Sequence, residues 1–115
     1  MSAELQGKVI FLTGGGQGIG RECGLAYARA GAFVVVADVN YGAAQAVVSE
    51  MHGPGHLAVQ CDVASAASVA TAIEATLKTM GRLDAIHNNA AISGPAKPLH
   101  ETGEQAWDQL FGVNV

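Results

Sequence analysis

Thr13-Gly14-Gly15-Gly16-Gln17-Gly18-Ile19-Gly20 is the stretch on which the reading of this chain turns. It follows an apolar, β-branched run, Lys8 to Thr13, and precedes residues of helical period, so it marks a strand-to-helix turn. Glycines suit such a turn when an anionic group must come close to the backbone. The first helical turn then offers unpaired N–H donors and the positive end of its dipole. A Cβ there would block the approach or force a strained dihedral. Two phosphate-binding patterns can be checked letter by letter. A P-loop needs Lys and then Ser or Thr after its last glycine, but Arg21 and Glu22 follow Gly20. The strict GxGxxG spacing also fails, because its third glycine falls on Ile19, Arg21 or Cys23 in the three possible frames. What remains is Gly14, Gly18 and Gly20 in the order TGxxxGIG, with Gly16 and Gln17 among the intervening residues.

Outward from this turn, short apolar runs alternate with Ala-rich helical stretches. Ala32 to Ala37 reads as a second strand closed by Asp38, Leu57 to Cys61 as a third running into Asp62-Val63, and Leu83 to Asn88 as a fourth. The first helix carries apolar or small residues at Ile19, Cys23, Ala26, Tyr27 and Ala30 and is expected to stop at Gly31. A second, from about Gly42 to His52, carries Ala44, Val47, Val48 and Met51 on one face. A third, with Ser65 as N-cap, carries Val69, Ile73, Leu77 and Met80 and ends at Gly81. After a loop with Pro95 and Pro98, Thr102 and Gln105 fit a capping box for a last helix holding Trp107, Leu110, Phe111 and Asn114 on one face. Continuous apolar strands alternating with helices imply parallel strands buried on both faces. The expected fold is an open, doubly wound α/β sheet of strand order 3-2-1-4, with residues 1–115 as a single domain.

Composition bounds the function. The 115 residues are 50% hydrophobic and 14% charged, so the chain is too apolar to stay disordered. A formal net charge of −4 argues against a nucleic-acid or anionic-membrane surface, which would need clustered Lys and Arg. No apolar run approaches a transmembrane length, and Met1 to Gly7 lack the features of a secretory signal, so a cytoplasmic protein is expected. Cys23 and Cys61 stand alone and are expected to be buried, reduced thiols. His52 and His56 are separated by Gly53-Pro54-Gly55, which denies them a shared helical face, and no metal site is expected. His87 and His100 have no evident ligand partners.

Asp38 sharpens the glycine turn into a function. It ends the second strand 18 residues beyond Gly20, close to the spacing at which an acid accepts from the adenosine ribose of a dinucleotide. A carboxylate there repels a 2′-phosphate. Val39 follows where an Arg would serve that phosphate, and Gln17 is not basic, so NAD is favoured over NADP.

Taken in order, four motifs give the chain the look of the N-terminal part of a short-chain dehydrogenase/reductase. Thr13 to Gly20 match its TGxxxGIG. Asp62-Val63 resemble its Asp-Val pair, which implies a carboxylate contact to the adenine amino group. Asn88-Asn89-Ala90-Ala91 resemble its NNAG, with Ala91 in place of the glycine. Trp107 followed by Asn114 matches the stretch that holds the family's active-site asparagine. The resemblance implies a Rossmann-type fold, an Ile19 amide near the pyrophosphate, Asn89 and Ala90 at the cofactor ribose, and Asn114 holding the water of a proton relay. It also implies hydride transfer between NAD(H) and an alcohol or ketone, and a homo-oligomer for the full-length protein. From the residues alone, Asn88 and Asn89 could equally form Asx turns, and Asn114 could serve helix packing.

The family's tyrosine and lysine in YxxxK are not found. Tyr27 is followed four residues on by Gly31, and Tyr41 by Gln45. A phenol with pKa ≈ 10 is a poor base at neutral pH without such a cation. The expectation is a cofactor-binding half whose catalytic Ser, Tyr and Lys lie beyond Val115, inactive alone. The alternative is a non-catalytic nucleotide-binding module.

Overall fold

The computed structural model describes residues 5–89. The loop with Pro95 and Pro98, the last helix, and the expected site residues Ala90 and Asn114 lie outside them. Four strands, β1 (Val9–Thr13), β2 (Phe33–Asp38), β3 (Leu57–Gln60) and β4 (Ala85–Asn88), alternate with three helices, α1 (Gly18–Arg29), α2 (Tyr41–Glu50) and α3 (Ala66–Met80). The sheet order is β3-β2-β1-β4 and every pairing is parallel, with Phe11 opposite Val35 on one side and Ile86 on the other.

Why the central strands are apolar throughout is visible in the two core clusters. Val9, Phe11, Val35 and Ala37 face α3, where Val69, Ala72 and Ile73 meet them. Ile10, Leu12, Val34 and Val36 face the other way, toward Ala28 of α1, Ala44 and Val47 of α2, and Met51 just beyond it. Alternate side chains point to opposite faces, so a strand covered on both sides admits a polar residue only where it finds a partner, as Thr13 does at the end of β1.

The helix ends follow their sequence signals. Asn40 caps α2, its Oδ1 accepting from the Ala43 amide at 3.0 Å. Ser65 caps α3 by accepting from the Ser68 amide, and Gly81 closes it at φ 78°. α2 ends at Glu50 rather than His52, because Met51 is already extended.

Two expected faces are corrected. α1 buries Gly20, Gly24 and Ala28, not the Ile19-Cys23-Ala26-Tyr27-Ala30 face. A Cβ on Gly24 would come within 2.9 Å of Met51 Cε and 3.0 Å of Leu12 Cδ2, so the helix lies on the sheet through its smallest residues and Ile19 is turned outward. On α3, Leu77 is 44% exposed, and Ala72 and Thr76 complete the buried face instead. Cys61 is buried as expected, whereas Cys23 is only half-buried. β4 starts two residues later than the apolar run suggests, since Leu83 packs into the α3-side core and Asp84 bonds to Val9. No helix among the described residues is long and apolar enough to cross a membrane.

Candidate functional site

β1 lies between β2 and β4, so the chain leaves its carboxyl end in one direction and reaches β4 from the other. In open α/β sheets that reversal opens a crevice beyond the strand ends. Here it holds about 540 Å³ and is lined from all four strand ends.

The glycine turn forms one wall. The Gly14 amide donates to the Ala37 carbonyl at 2.8 Å, fastening the turn to β2. Gly18 takes φ 62° with open space where a Cβ would stand, so glycine supplies a left-handed dihedral there. At Gly20 the requirement is contact instead: a Cβ would overlap the Gly14 carbonyl oxygen and crowd Asn89 Nδ2. Gln17, the N-cap of α1, makes no side-chain capping bond, and the first turn holds no acid. The early N–H groups of α1 are therefore not quenched by its own cap, beside a crevice that Gln17 and Gly18 line.

β4 is locked onto this turn by polar contacts. Fully buried Thr13 donates through Oγ1 to Asn88 Oδ1 at 2.9 Å and accepts from the Asn89 amide at 3.0 Å. Asn89 Nδ2 donates to the Gly14 carbonyl at 3.3 Å. Asn88 and Asn89 thus bond to residues about 75 positions away rather than forming the local turns that asparagine alone would favour.

At the tip of β2, Asp38 Oδ2 accepts from the Gly16 amide and Oδ1 from the Asn40 amide, each at 2.9 Å. The carboxylate is fixed between the glycine turn and the start of α2, with exposed Val39 beside it. At the tip of β3, Asp62 Oδ1 accepts from the Ala64 amide at 3.0 Å, and its own amide donates to Ser68 Oγ at 2.8 Å. Burial pushes the neighbouring Cys61 thiol up to about 11.

Of the residues singled out from sequence, Gly14, Gln17, Gly18, Asp38, Val39, Asp62, Val63 and Asn89 line the crevice together. Gly16 and Gly20 are buried behind it. Ile19 is 76% exposed and borders a separate shallow groove with Arg21 and Cys23, so its side chain does not line the crevice. Cys61 and Ala64 line the crevice and were not singled out. Ala64 had a signal, since an aspartate two residues ahead of it commonly forms such a turn, whereas nothing marked Cys61. No group of three or more His, Cys, Asp or Glu among the described residues is placed to hold a metal ion.

A parallel sheet of this order, covered by helices on both faces and opening at the strand reversal, defines an α/β fold of the Rossmann type. The short chain dehydrogenase family model matches residues 8–115, and the chain belongs to that family. It is 44% identical over 114 residues to the short chain dehydrogenase/reductase astE of Aspergillus oryzae, covering 96% of this chain and 44% of that protein. Among solved structures it is similar to a short chain dehydrogenase/reductase from Burkholderia phymatum in complex with NAD, with TM-score 0.83 and 27% identity over 97% of this chain and 45% of the other. It also resembles a 3-ketoacyl-(acyl-carrier-protein) reductase from Brucella melitensis complexed with NADH, with TM-score 0.74 and 37% identity over 97% and 46% of the two chains. The chain spans less than half the length of these relatives.

Proposed function

We propose that this chain is the cofactor-binding half of an NAD-dependent oxidoreductase that moves a hydride between NAD(H) and an alcohol or ketone. The observation that carries the reading is the Asp38 carboxylate, clamped by the Gly16 and Asn40 amides at the rim of the crevice. A fixed carboxylate accepts from a ribose diol and repels a 2′-phosphate. None of the described residues lining the crevice is Lys or Arg, so none of them would pair with the extra charge of NADP. The nearby Arg21 is engaged by Glu22 and Glu50. The Burkholderia phymatum and Brucella melitensis relatives, solved with NAD and NADH, support the same cofactor class.

The residues fit such a molecule. The turn from Gly14 to Gly20 and the uncapped start of α1 suit a pyrophosphate, with the Ile19 amide donating. Asp38 and Val39 would hold the adenosine ribose, Asp62 and Val63 the adenine, and Asn89, with Ala90 by the family resemblance, the second ribose. When bound, NAD supplies the hydride acceptor, and this chain's own part is to hold and orient it. Asn114 would hold the relay water. The reading extends to one NAD-binding domain over residues 1–115 and to a cytoplasmic, homo-oligomeric full-length enzyme. A second reading, nucleotide binding without turnover by this chain, is favoured by the lack of Tyr-x-x-x-Lys in its 115 residues.

Calorimetric titration tests both. NAD binds the wild-type chain in the micromolar to millimolar range, and Asp38→Ala or Gly18→Val weakens it strongly. Unchanged affinity in both variants would sink the NAD reading. Turnover of an alcohol or ketone panel by the 115-residue chain would remove the second.

A further inference from the structure

We propose that Gly16 is a positioning residue for nucleotide selectivity: its bare α-carbon leaves the space in which the Asp38 carboxylate is clamped. The proposal rests on the NAD reading above and names a second determinant of it. Gly16 is not among the glycines with positive φ, so its backbone conformation does not demand glycine. Space does. A Cβ at this position would lie 2.7 Å from Asp38 Oδ2, 3.1 Å from its Cγ and 2.9 Å from Ala43 Cβ.

Both neighbours are held by Asn40, and of the two the Asp38 carboxylate, at the end of its side chain, is the one that can move. The Asn40 amide donates to Asp38 Oδ1 at 2.9 Å, and the Asn40 side chain accepts from the Ala43 amide at 3.0 Å. The Asp38 backbone is fixed as well, since its carbonyl accepts from the Cys61 amide at 3.0 Å. An added methyl at residue 16 therefore turns the carboxylate out of its clamp and breaks the 2.9 Å bond from the Gly16 amide. A carboxylate freed in this way no longer presents a fixed pair of acceptors to a ribose diol, and it can swing away from a 2′-phosphate. Selectivity is lost from both sides. Gly15 provides the contrast: the nearest atoms a Cβ there would meet are Val36 Cγ1 at 2.9 Å and Leu12 Cδ2 and Cγ at 3.1 and 3.2 Å, core side chains rather than the carboxylate.

The test is calorimetric titration of the full 115-residue chain with NAD and with NADP, in wild type, Gly16→Ala, Gly15→Ala and the double variant Gly16→Ala with Ala43→Gly. In Gly16→Ala the preference for NAD falls by about tenfold, the scale of one lost charge-assisted contact. Gly15→Ala keeps the wild-type preference, and the double variant recovers part of it. Equal weakening of both cofactors in Gly16→Ala, with their ratio intact, overturns the proposal and leaves the NAD reading standing. A wild-type chain with no preference for NAD removes both. A second measurement leaves residue 16 unaltered: hydrogen exchange at the Gly16 amide rises at least about tenfold in Asp38→Ala, as loss of its acceptor requires. Unchanged exchange there overturns the clamp, whatever the cofactors do.

Discussion

The Asp84 carboxylate accepts from the Val9 amide at 2.8 Å, joining the first residue of β1 to the segment that enters β4. The Arg82 guanidinium grips the same carboxylate through Nε and Nη2, at 2.8 and 2.7 Å. Arg82 first, and then the Val9 amide, hold the Asp84 carboxyl below its ordinary range. A group lowered in the folded state contributes stability above its unfolded pKa, about 3.9, and loses it as pH falls through the folded value. Asp84→Asn is accordingly less stable than wild type at pH 7, and the gap closes below about pH 4. Urea titrations at a series of pH values measure it, and a gap constant down to pH 2 contradicts the assignment.

Gly18 and Gly20 fail in different ways when given a methyl. Gly18→Ala meets open space and suffers only the left-handed dihedral, about 1–2 kcal/mol. Gly20→Ala drives a methyl into the Gly14 carbonyl and disturbs Asn89, so it costs more stability and also deforms the crevice. Thermal unfolding of the two variants ranks them. The reverse order would mean that the turn yields more easily at Gly20 than its contacts indicate.

His56 works as a connector between backbone segments. Its Nδ1 accepts from the amide of fully buried Val34 at 3.1 Å, which fixes Nε2 as the donor to the His52 carbonyl at 2.8 Å. His56→Ala strands the Val34 N–H, and the expected cost is about 1–3 kcal/mol. Chemical denaturation supplies the number, and a loss under about 0.5 kcal/mol would show that water replaces the ring.

The two thiols are expected to differ in reactivity. Cys61 is buried with its pKa pushed up to about 11 from 9.0, which cuts its thiolate fraction roughly 100-fold. Cys23 is half-buried. An aromatic disulfide reagent at pH 7.5 therefore modifies one thiol per native chain in a fast phase, identified as Cys23 by peptide mapping, and the second only on unfolding. Two equal fast phases would refute the difference.

Much of this was legible before any coordinates. Apolar runs with alternating helical stretches announce a parallel sheet, and Ser65 and Gly81 mark the ends of α3 through local chemistry that sequence carries directly, whereas the Asn40 cap of α2 was not read. The face of α1 was not legible. Hydrophobic periodicity points to Ile19 and Cys23, but that helix is seated by Gly20, Gly24 and Ala28, because close approach to Leu12 and Met51 rewards small residues. Long-range polar partners were equally hidden. Thr13 with Asn88, Tyr27 with His87 at 2.5 Å, and His56 with Val34 depend on which strands become neighbours, and no local pattern encodes that. Eight expected site residues converge on the crevice because each sits at or just beyond a strand's carboxyl end, a position that sequence spacing can find.

The strand order also ties the crevice to the way the chain folds. β1 must pair with β4, and Thr13 reaches Asn88 across 75 positions, so a long loop has to close before that wall of the crevice exists. Closure entropy grows only slowly with loop length, yet such distant parallel pairings delay folding until local structure has formed. The glycine turn and the β2 tip are joined across 22 positions, whereas the Asn89 side depends on β4, about 75 positions away. A molecule spanning the crevice would bridge early and late parts of the fold. Its binding energy would therefore act as a latch on the docking of β4, and the chain's stability would rise with the concentration of its ligand.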